Sequence, residues 1–92
     1  MRLDRYLFFV RLLKSRTQAQ VLIDTGRVRI DGRPIAKCSV EVKAGTTLTL
    51  PLHGHVRVLR VTALPSRRGP PPEARLHYEE IAENVSQQAP AN

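Results

Sequence analysis

The sequence predicts a small α+β protein in which two short N-terminal helices pack on a small antiparallel β-sheet, followed by an irregular C-terminal extension. Three observations lead to this fold class. Apolar residues recur at helical spacing near the start, a second helix is bounded by a capping residue and a glycine, and short alternating segments follow between turn residues. At 92 residues the chain is long enough for one small core.

The first helix is predicted from an apolar stripe with spacings of three and four residues, formed by Leu3, Tyr6, Leu7, Val10 and Leu13. Phe8 and Leu12 lie on the opposite side, where a surface helix is normally polar. We therefore expect another part of the chain to cover them, and the C-terminal segment is the only large candidate.

The second helix has signals at both ends. Ser15 with Gln18 three residues later matches the capping box, in which each side chain satisfies a free backbone N–H group at the helix start. The inner side of this helix is expected to carry Ala19, Leu22 and Ile23. Gly26 stands where a residue in the left-handed conformation commonly ends a helix.

The part of the chain after Gly26 is predicted to form an antiparallel sheet. The alternating segment RVRI leads into the turn DG, which favours a type I′ hairpin, and RPI begins the return strand. Further strands are expected at SVEV, TLTL and VRVLRV, with one face of the sheet on the helices and the other towards solvent.

The C-terminal extension is predicted to differ from the domain that precedes it. Residues 2–64 are expected to form that domain with its sheet, and residues 65–92 to follow as a proline-rich loop, a short segment and a polar tail. The loop is PSRRGPPPEAR, the segment RLHYEEIAENV is expected to form a final helical turn or two, and the tail is SQQAPAN.

The chain is strongly basic, and its charge is concentrated near the N-terminus. Fifteen Lys and Arg against eight Asp and Glu give a net charge of +7. Residues 1–37 contain nine basic and three acidic side chains, whereas residues 38–92 contain six and five. This distribution favours a polyanionic partner, such as a nucleic acid, that binds the N-terminal part.

The sequence gives little support to an enzyme, a metal protein or a membrane protein. His53 and His55 flank Gly54 in a predicted turn and have no neighbouring ligands, and no nucleophile stands near a base, so no cofactor or metal is expected. Charged residues interrupt the apolar N-terminal segment, and no segment approaches a membrane span. The single cysteine, Cys38, suits a reducing compartment, so we expect a cytoplasmic protein.

Several basic and polar residues fall where they can bind phosphate groups. Lys14, Ser15 and Arg16 stand at the start of the second helix, where free N–H groups and the helix dipole favour an anion. Gln20 lies one turn after Arg16 on the same flank. Arg27 and Arg29 share one face of a strand. From the sequence we expect charge reversal at Lys14 and Arg16 to abolish nucleic-acid binding and to leave the fold intact.

The segments RLDRYL, KSRTQAQVLIDTGRVRIDGRPI and KCSVEVKAGTTLTL together resemble the S4 RNA-binding domain over roughly residues 2–50. The resemblance implies the αL motif of that family, in which two helices and a hairpin bind RNA. Asp31 and Thr46 depart from the family, which commonly has Asn and Asp there. The positions that match the family's RNA-binding surface are Arg2, Arg5, Arg11, Lys14, Ser15, Arg16, Gln20, Arg27, Arg29, Asp31, Gly32 and Lys37.

Later residues resemble one group within this family. The strand RVLRVTAL, the loop PSRRGPPPEA and the closing LHYEE are similar to the ribosome-associated heat shock protein 15 group. Members bind ribosomal RNA on free large ribosomal subunits that carry a nascent chain on tRNA, and help to recycle them. The resemblance implies a heat-shock or ribosome-recycling role, with structured RNA of the large ribosomal subunit as the partner, and contact with tRNA or the nascent-chain complex.

Two other functions remain open from the sequence. A short helix pair with a basic second helix also suits a DNA-binding protein of the helix-turn-helix class. Alternatively, the chain is an RNA-binding accessory subunit of a separate RNA-modifying enzyme. Competition between duplex DNA and folded RNA tests the first alternative, and co-purification of a modifying enzyme tests the second.

Overall fold

The computed structural model describes residues 1–85 of the chain. Helix α1 and helix α2 come first, four strands follow, and a short helix α3 and a 3₁₀ turn precede the last strand. The bounds are α1 Leu3–Phe9, α2 Arg16–Asp24, β1 Val28–Ile30, β2 Arg33–Ile35, β3 Thr47–Leu52, β4 His55–Val61, α3 Pro71–Ala74, the 3₁₀ turn Arg75–His77 and β5 Tyr78–Val85.

The strands form one antiparallel sheet in the order β2-β1-β3-β4-β5. One face packs on the helices, as the alternation in β3 shows: Leu48, Leu50 and Leu52 are buried, whereas the residues between them are partly exposed. The helices contribute to the same core with Leu3, Tyr6, Leu7, Ala19 and Ile23. The predicted α+β arrangement of two helices on an antiparallel sheet is confirmed.

Helix α1 is shorter than the apolar stripe suggested, because the chain leaves the helix at Val10. The N–H of Arg11 donates to Phe8 O at 3.1 Å and the N–H of Leu12 donates to Leu7 O at 3.1 Å, which is the pattern of a Schellman motif. Arg11 occupies its left-handed position with φ 62°. The stripe predicted as far as Leu13 therefore spans a helix and the turn that ends it.

Helix α2 and the hairpin agree with their local sequence signals. The Ser15 hydroxyl oxygen accepts from the Gln18 N–H at 3.0 Å and caps α2. Gly26 has φ 77° after the helix end, and Asp31 and Gly32 have φ 50° and φ 84°, as a type I′ turn requires. These predictions are confirmed.

The strand predicted at SVEV is wrong. Residues 39–42 make one isolated bridge, between Arg2 and Glu41, and belong to no strand of the sheet. The N–H of Leu3 donates to Val40 O at 2.8 Å. The sequence of residues 39–42 does alternate between polar and apolar residues. However, the backbone of this segment bonds to residues at the start of α1 and thereby fixes where that helix begins.

The helical turn expected in RLHYEEIAENV is also wrong beyond His77. Residues Tyr78–Val85 form β5, an edge strand that pairs with β4. The segment HYEEIAEN has no clear apolar alternation, so its sequence does not indicate a strand. The tail from residue 86 onwards, which was predicted to be polar and frayed, lies outside the described residues.

The C-terminal segment covers α1, as expected from Phe8. The guanidinium of Arg68 lies over the Phe8 ring at 4.5 Å, and its Nε donates to Phe8 O at 3.0 Å. The hydroxyl of Tyr6 donates to His77 O at 2.8 Å. Residues from both sides of position 64 therefore share one sheet and one set of contacts. Within residues 1–85, no helix has the length and apolar character needed to cross a membrane.

Candidate nucleic-acid interface

A buried carboxylate organises the residues between the start of α1 and α2. Asp4 is fully buried. Its Oδ1 accepts from Nε of Arg2 at 3.1 Å and from the N–H of Arg5 at 2.8 Å. Its Oδ2 accepts from Nη2 of Arg2 at 3.1 Å, Nη2 of Arg16 at 3.3 Å and Nε2 of Gln20 at 3.0 Å. Three predicted RNA-binding side chains therefore converge on one acidic residue.

This carboxylate is charged at neutral pH despite its burial. Burial alone raises the pKa of Asp4, but hydrogen bonds from Gln20, Arg2, Arg16 and the Arg5 N–H outweigh it and hold the pKa below its ordinary value of 3.8. Paired charges of this kind are tolerated in a core because each lone pair finds a donor. Asp4 thereby fixes the neighbouring donors in one orientation.

The two arginines are held at one side and open to solvent at the other. The side chain of Arg2 is 43% exposed and that of Arg16 is 39% exposed, so each guanidinium has surface available beyond its pair with Asp4. A guanidinium offers five donors in a fixed fork, so a side chain bound to one carboxylate still has N–H groups for a phosphate. The arrangement presents two oriented cations beside the start of α2.

The start of α2 adds donors to this surface. Lys14 is exposed and has no ion-pair partner among residues 1–85. The Ser15 hydroxyl accepts from Gln18, which leaves its own proton free to donate. The capping box is altered in one detail, because Gln18 Oε1 accepts from the N–H of Lys14 at 3.2 Å rather than from that of Ser15. The Gln18 amide thus helps to fix the backbone at Lys14.

The hairpin carries a second part of the predicted surface. Arg27 and Arg29 are exposed, and both line one open surface pocket on the outer face of the sheet. Nη1 of Arg29 donates to Gly32 O at 3.4 Å. The carboxylate Oδ1 of Asp31 accepts from the N–H of Thr47 at 2.9 Å, so this side chain ties the turn to β3. The acidic residue at the tip has a structural partner.

The other predicted residues lie around these two parts. Arg5 is exposed on α1 and Lys37 is exposed in the loop after β2, each without an ion pair in the described part of the chain. Arg11 turns away from Asp4, and its Nε donates to Gly69 O at 2.5 Å. The structure thus brings Arg2, Arg16 and Gln20 together, places the hairpin arginines on another face, and directs Arg11 towards the C-terminal loop.

The sequence patterns assigned Asp4 no role in the interface. A signal was available, since Asp4 is the only acidic residue among the first 23 and lies close to Arg2 and Arg5. Its meaning depended on α1 and α2 crossing at Asp4, which a pattern along one helix does not reveal.

Comparisons with known proteins identify the family of the chain. The family model described as the S4 domain matches residues 1–48. The chain is 39% identical to heat shock protein 15 of Escherichia coli (strain K12) over 84 residues, 91% of this chain and 62% of that protein. It is 48% identical to the RQC P-site tRNA stabilizing factor of Bacillus subtilis (strain 168) over 50 residues, 54% of this chain and 57% of that protein.

A solved structure extends the similarity to the fold. The trimeric structure of Vibrio cholerae heat shock protein 15 has a TM-score of 0.82 with 29% sequence identity, and the match covers 96% of this chain and 88% of that chain. The resemblance to the S4 domain and to the heat shock protein 15 group is confirmed. The chain spans 62% of the Escherichia coli relative, less than two thirds of its length.

Proposed function

Because this chain belongs to the S4 domain family, we propose that it is a non-enzymatic protein that binds structured RNA through α2 and the β1–β2 hairpin. The observation that supports this most is the network around Asp4, which orients Arg2, Arg16 and Gln20 beside Lys14 and the capped start of α2. Oriented arginines of this kind recognise phosphate geometry, and RNA helices are recognised mainly by shape and backbone.

We further propose ribosomal RNA of the large ribosomal subunit as the physiological partner. The similar proteins are named as a heat shock protein and as tRNA stabilizing factors of the P-site, which supports a ribosome-recycling role close to tRNA or a nascent-chain complex. Such a role takes place in the cytoplasm. In this proposal residues 2–64 hold the main RNA-binding surface, and residues 65–92 follow it.

The direct test replaces the two cations at the start of α2. Charge reversal at Arg16 is unsuitable, because it places a second carboxylate against buried Asp4 and threatens the fold that the sequence analysis expected to survive. The variant Lys14→Glu with Arg16→Gln avoids this contact. We expect it to lose RNA binding in a filter assay with large-subunit ribosomal RNA, while its melting curve stays cooperative.

The matched control makes the same charge change elsewhere. Lys43→Glu with Arg60→Gln alters two exposed cations outside the proposed surface that have no ion pair within residues 1–85. We expect this control to keep most of the affinity. Equal losses in both double variants would reject a defined surface and leave only general attraction between a basic protein and RNA.

The variant Asp4→Asn separates orientation from net charge. It raises the net charge by one, so long-range attraction alone predicts tighter RNA binding. If Asp4 acts by orienting Arg2 and Arg16, we expect weaker binding and a smaller dependence on salt. Tighter binding would contradict the role given to this network.

Binding to ribosomes and to other partners is tested separately. Tagged protein is expected to sediment with large subunits on a sucrose gradient and to be released by salt. Duplex DNA that displaces folded RNA from the protein at equal concentration would favour the DNA-binding alternative. Co-purification of a modifying enzyme without ribosomal subunits would favour the accessory-subunit alternative.

A further inference from the structure

A second basic region, the cationic cleft, lies between the end of α1, the β3–β4 turn and the 3₁₀ turn. Its volume is about 380 Å³, and its cationic rim is formed by Arg11, Lys14, Arg57, Arg68 and Arg75. None of the described residues that line it is acidic. Three of these cations, at positions 57, 68 and 75, lie outside the surface predicted from the sequence.

Two rim arginines are held in place through one nitrogen each. Nε of Arg11 donates to Gly69 O at 2.5 Å, and Nε of Arg68 donates to Phe8 O at 3.0 Å while its guanidinium stacks on the Phe8 ring. The Nη groups of both have no hydrogen-bond partner within residues 1–85. The guanidinium groups of Arg11 and Arg68 are therefore oriented before a ligand binds. This preorganisation lowers the conformational entropy lost on binding.

The other rim cations differ in availability. Arg75 and Lys14 are exposed and form no ion pair in the described part of the chain. Arg57 is already paired with Glu80, with 2.6 Å between Nη2 and Oε1, so it is not counted as a phosphate ligand. Four cations thus remain for a negatively charged ligand.

The backbone at Arg11 is a separate indication. Arg11 has φ 62° at the left-handed position of a Schellman motif, where glycine is favoured and a side chain strains the backbone. Backbone strain of this kind clusters at ligand sites. In this conformation the Arg11 side chain reaches the C-terminal loop, where it donates to Gly69 O and lines the cleft.

The cleft also has an apolar and aromatic lining, formed by Leu12, Leu52, Pro71 and Tyr78. A purely cationic site would suit inorganic phosphate, but a cleft lined by both cationic and apolar side chains suits a planar base joined to a phosphate. Unpaired RNA bases commonly stack on aromatic side chains and guanidinium planes. The volume lies in the range of roughly 300–1,000 Å³ that is typical of small-ligand sites.

We propose that the cationic cleft binds one unpaired nucleotide of the bound RNA, with its base against the apolar lining and its phosphate at Arg11, Lys14 and Arg75. This inference rests on the proposed RNA binding for its biological source. Lys14 joins the cleft to the start of α2, so one RNA can occupy both surfaces.

The first experiment uses a mononucleotide and does not require RNA binding. Uridine 5′-monophosphate, uridine and inorganic phosphate are titrated separately into the ¹⁵N-labelled protein, and the backbone amides of Leu12, Gly69 and Ala74 are followed by NMR. We expect these amides to shift with the nucleotide at about tenfold lower concentration than with uridine or phosphate, because base and phosphate contribute together.

Three results of the titration would overturn the inference. Equal responses to inorganic phosphate and the nucleotide would show an anion site without base recognition. No shift at the three amides would show that the cleft binds no nucleotide. Saturation by hexaglutamate at a lower concentration than by the nucleotide would identify an acidic protein segment as the preferred ligand.

The second experiment compares two single substitutions in RNA binding. Arg75→Gln removes a cation of the cleft, and Arg60→Gln makes the same change on the outer face of the sheet. We expect Arg75→Gln to weaken binding of large-subunit ribosomal RNA about fivefold at about 0.1 M salt, since one contact contributes roughly 0.7 to the salt slope. Arg60→Gln is expected to have little effect.

The two experiments separate failure of the cleft from failure of the proposed function. Intact RNA binding with equal affinities for Arg75→Gln and Arg60→Gln would reject the cleft as a contact and keep RNA binding at α2. No RNA binding by the unchanged protein would reject the proposed function, while the mononucleotide titration would still report whether the cleft accepts a nucleotide.

Discussion

At the scale of single residues, Asp4 belongs to both the core and the proposed interface. Its carboxylate is fully buried, yet its four partners come from two side chains at the surface, one amide and one backbone N–H group. The cost of removing a charge from water is offset only while these donors stay in place. Any change that neutralises Asp4 therefore acts on the core and on the surface together.

The variant Asp4→Asn is expected to lower the free energy of unfolding by about 2 kcal/mol at pH 7, because it weakens hydrogen bonds to charged donors. The pKa of Asp4 is lowered in the folded protein. Its stabilisation is therefore present above the ordinary value of 3.8 and is lost as the pH falls through the folded pKa.

Urea denaturation at pH 7 and near pH 3 measures this effect. The difference in the free energy of unfolding between the unchanged protein and Asp4→Asn should be smaller at the lower pH. Asp24→Asn serves as the control, since Asp24 is exposed on α2. This substitution should change the free energy of unfolding little at either pH. A difference for Asp4→Asn that is the same at both pH values would contradict a charged, hydrogen-bonded Asp4.

At the scale of elements, local signals predicted α2 and the first hairpin, while distant contacts decided the rest. The cap at Ser15, the stop at Gly26 and the turn at Asp31 each depend on neighbours within a few residues. The end of α1 depends on Arg11 adopting a conformation that its side chain disfavours. The strand β5 depends on pairing with β4, which no pattern within HYEEIAEN indicates.

The contact between α1 and the 3₁₀ turn gives an element-scale prediction. The Tyr6 hydroxyl donates to His77 O, so Tyr6→Phe should lower the free energy of unfolding by about 1 kcal/mol at pH 8. Burial, and then the charge of Tyr78, raises the pKa of Tyr6 well above its ordinary value of 10.0. The folded protein therefore loses stability as the pH rises above that ordinary value, and Tyr6→Phe does not share this loss.

Denaturation curves followed by circular dichroism at pH 8 and near pH 11 test this prediction. Tyr6→Phe should be less stable than the unchanged protein at pH 8. This difference in the free energy of unfolding should become smaller or change sign at the higher pH. A constant deficit would show that the hydroxyl reaches water in the folded protein, and that the C-terminal segment does not hold α1 as described.

At the scale of the whole molecule, the sequence showed how much positive charge the chain carries but not how it is distributed in space. The basic residues form three groups on different elements. They lie at the start of α2, at the hairpin and in the cationic cleft. Sequence order predicted the first two from residues 1–37. The cleft escaped prediction because Arg68 and Arg75 meet Arg11 only through the loop that follows β4.

The dependence of RNA affinity on salt measures this distribution. If about five cations contact phosphates, a fourfold rise in salt should weaken binding by on the order of a few hundredfold. Lys14→Gln with Arg16→Gln should reduce the slope by about 1.5, because two contacts are removed. Lys43→Gln with Arg60→Gln should leave the slope unchanged. Equal slopes for both double variants would contradict contacts at the start of α2.

The backbone link between the first residues and residues 40–42 has a consequence for the order of folding. The N–H of Val42 donates to Met1 O at 2.8 Å, so the start of α1 is fixed by residues about 40 positions later. Closing so long a loop costs chain entropy before the contact contributes anything. During synthesis, α1 therefore acquires its native start only after residue 42 has left the ribosomal tunnel. The proposed RNA-binding surface includes Arg2, which precedes α1, and is therefore expected to be complete only after that point.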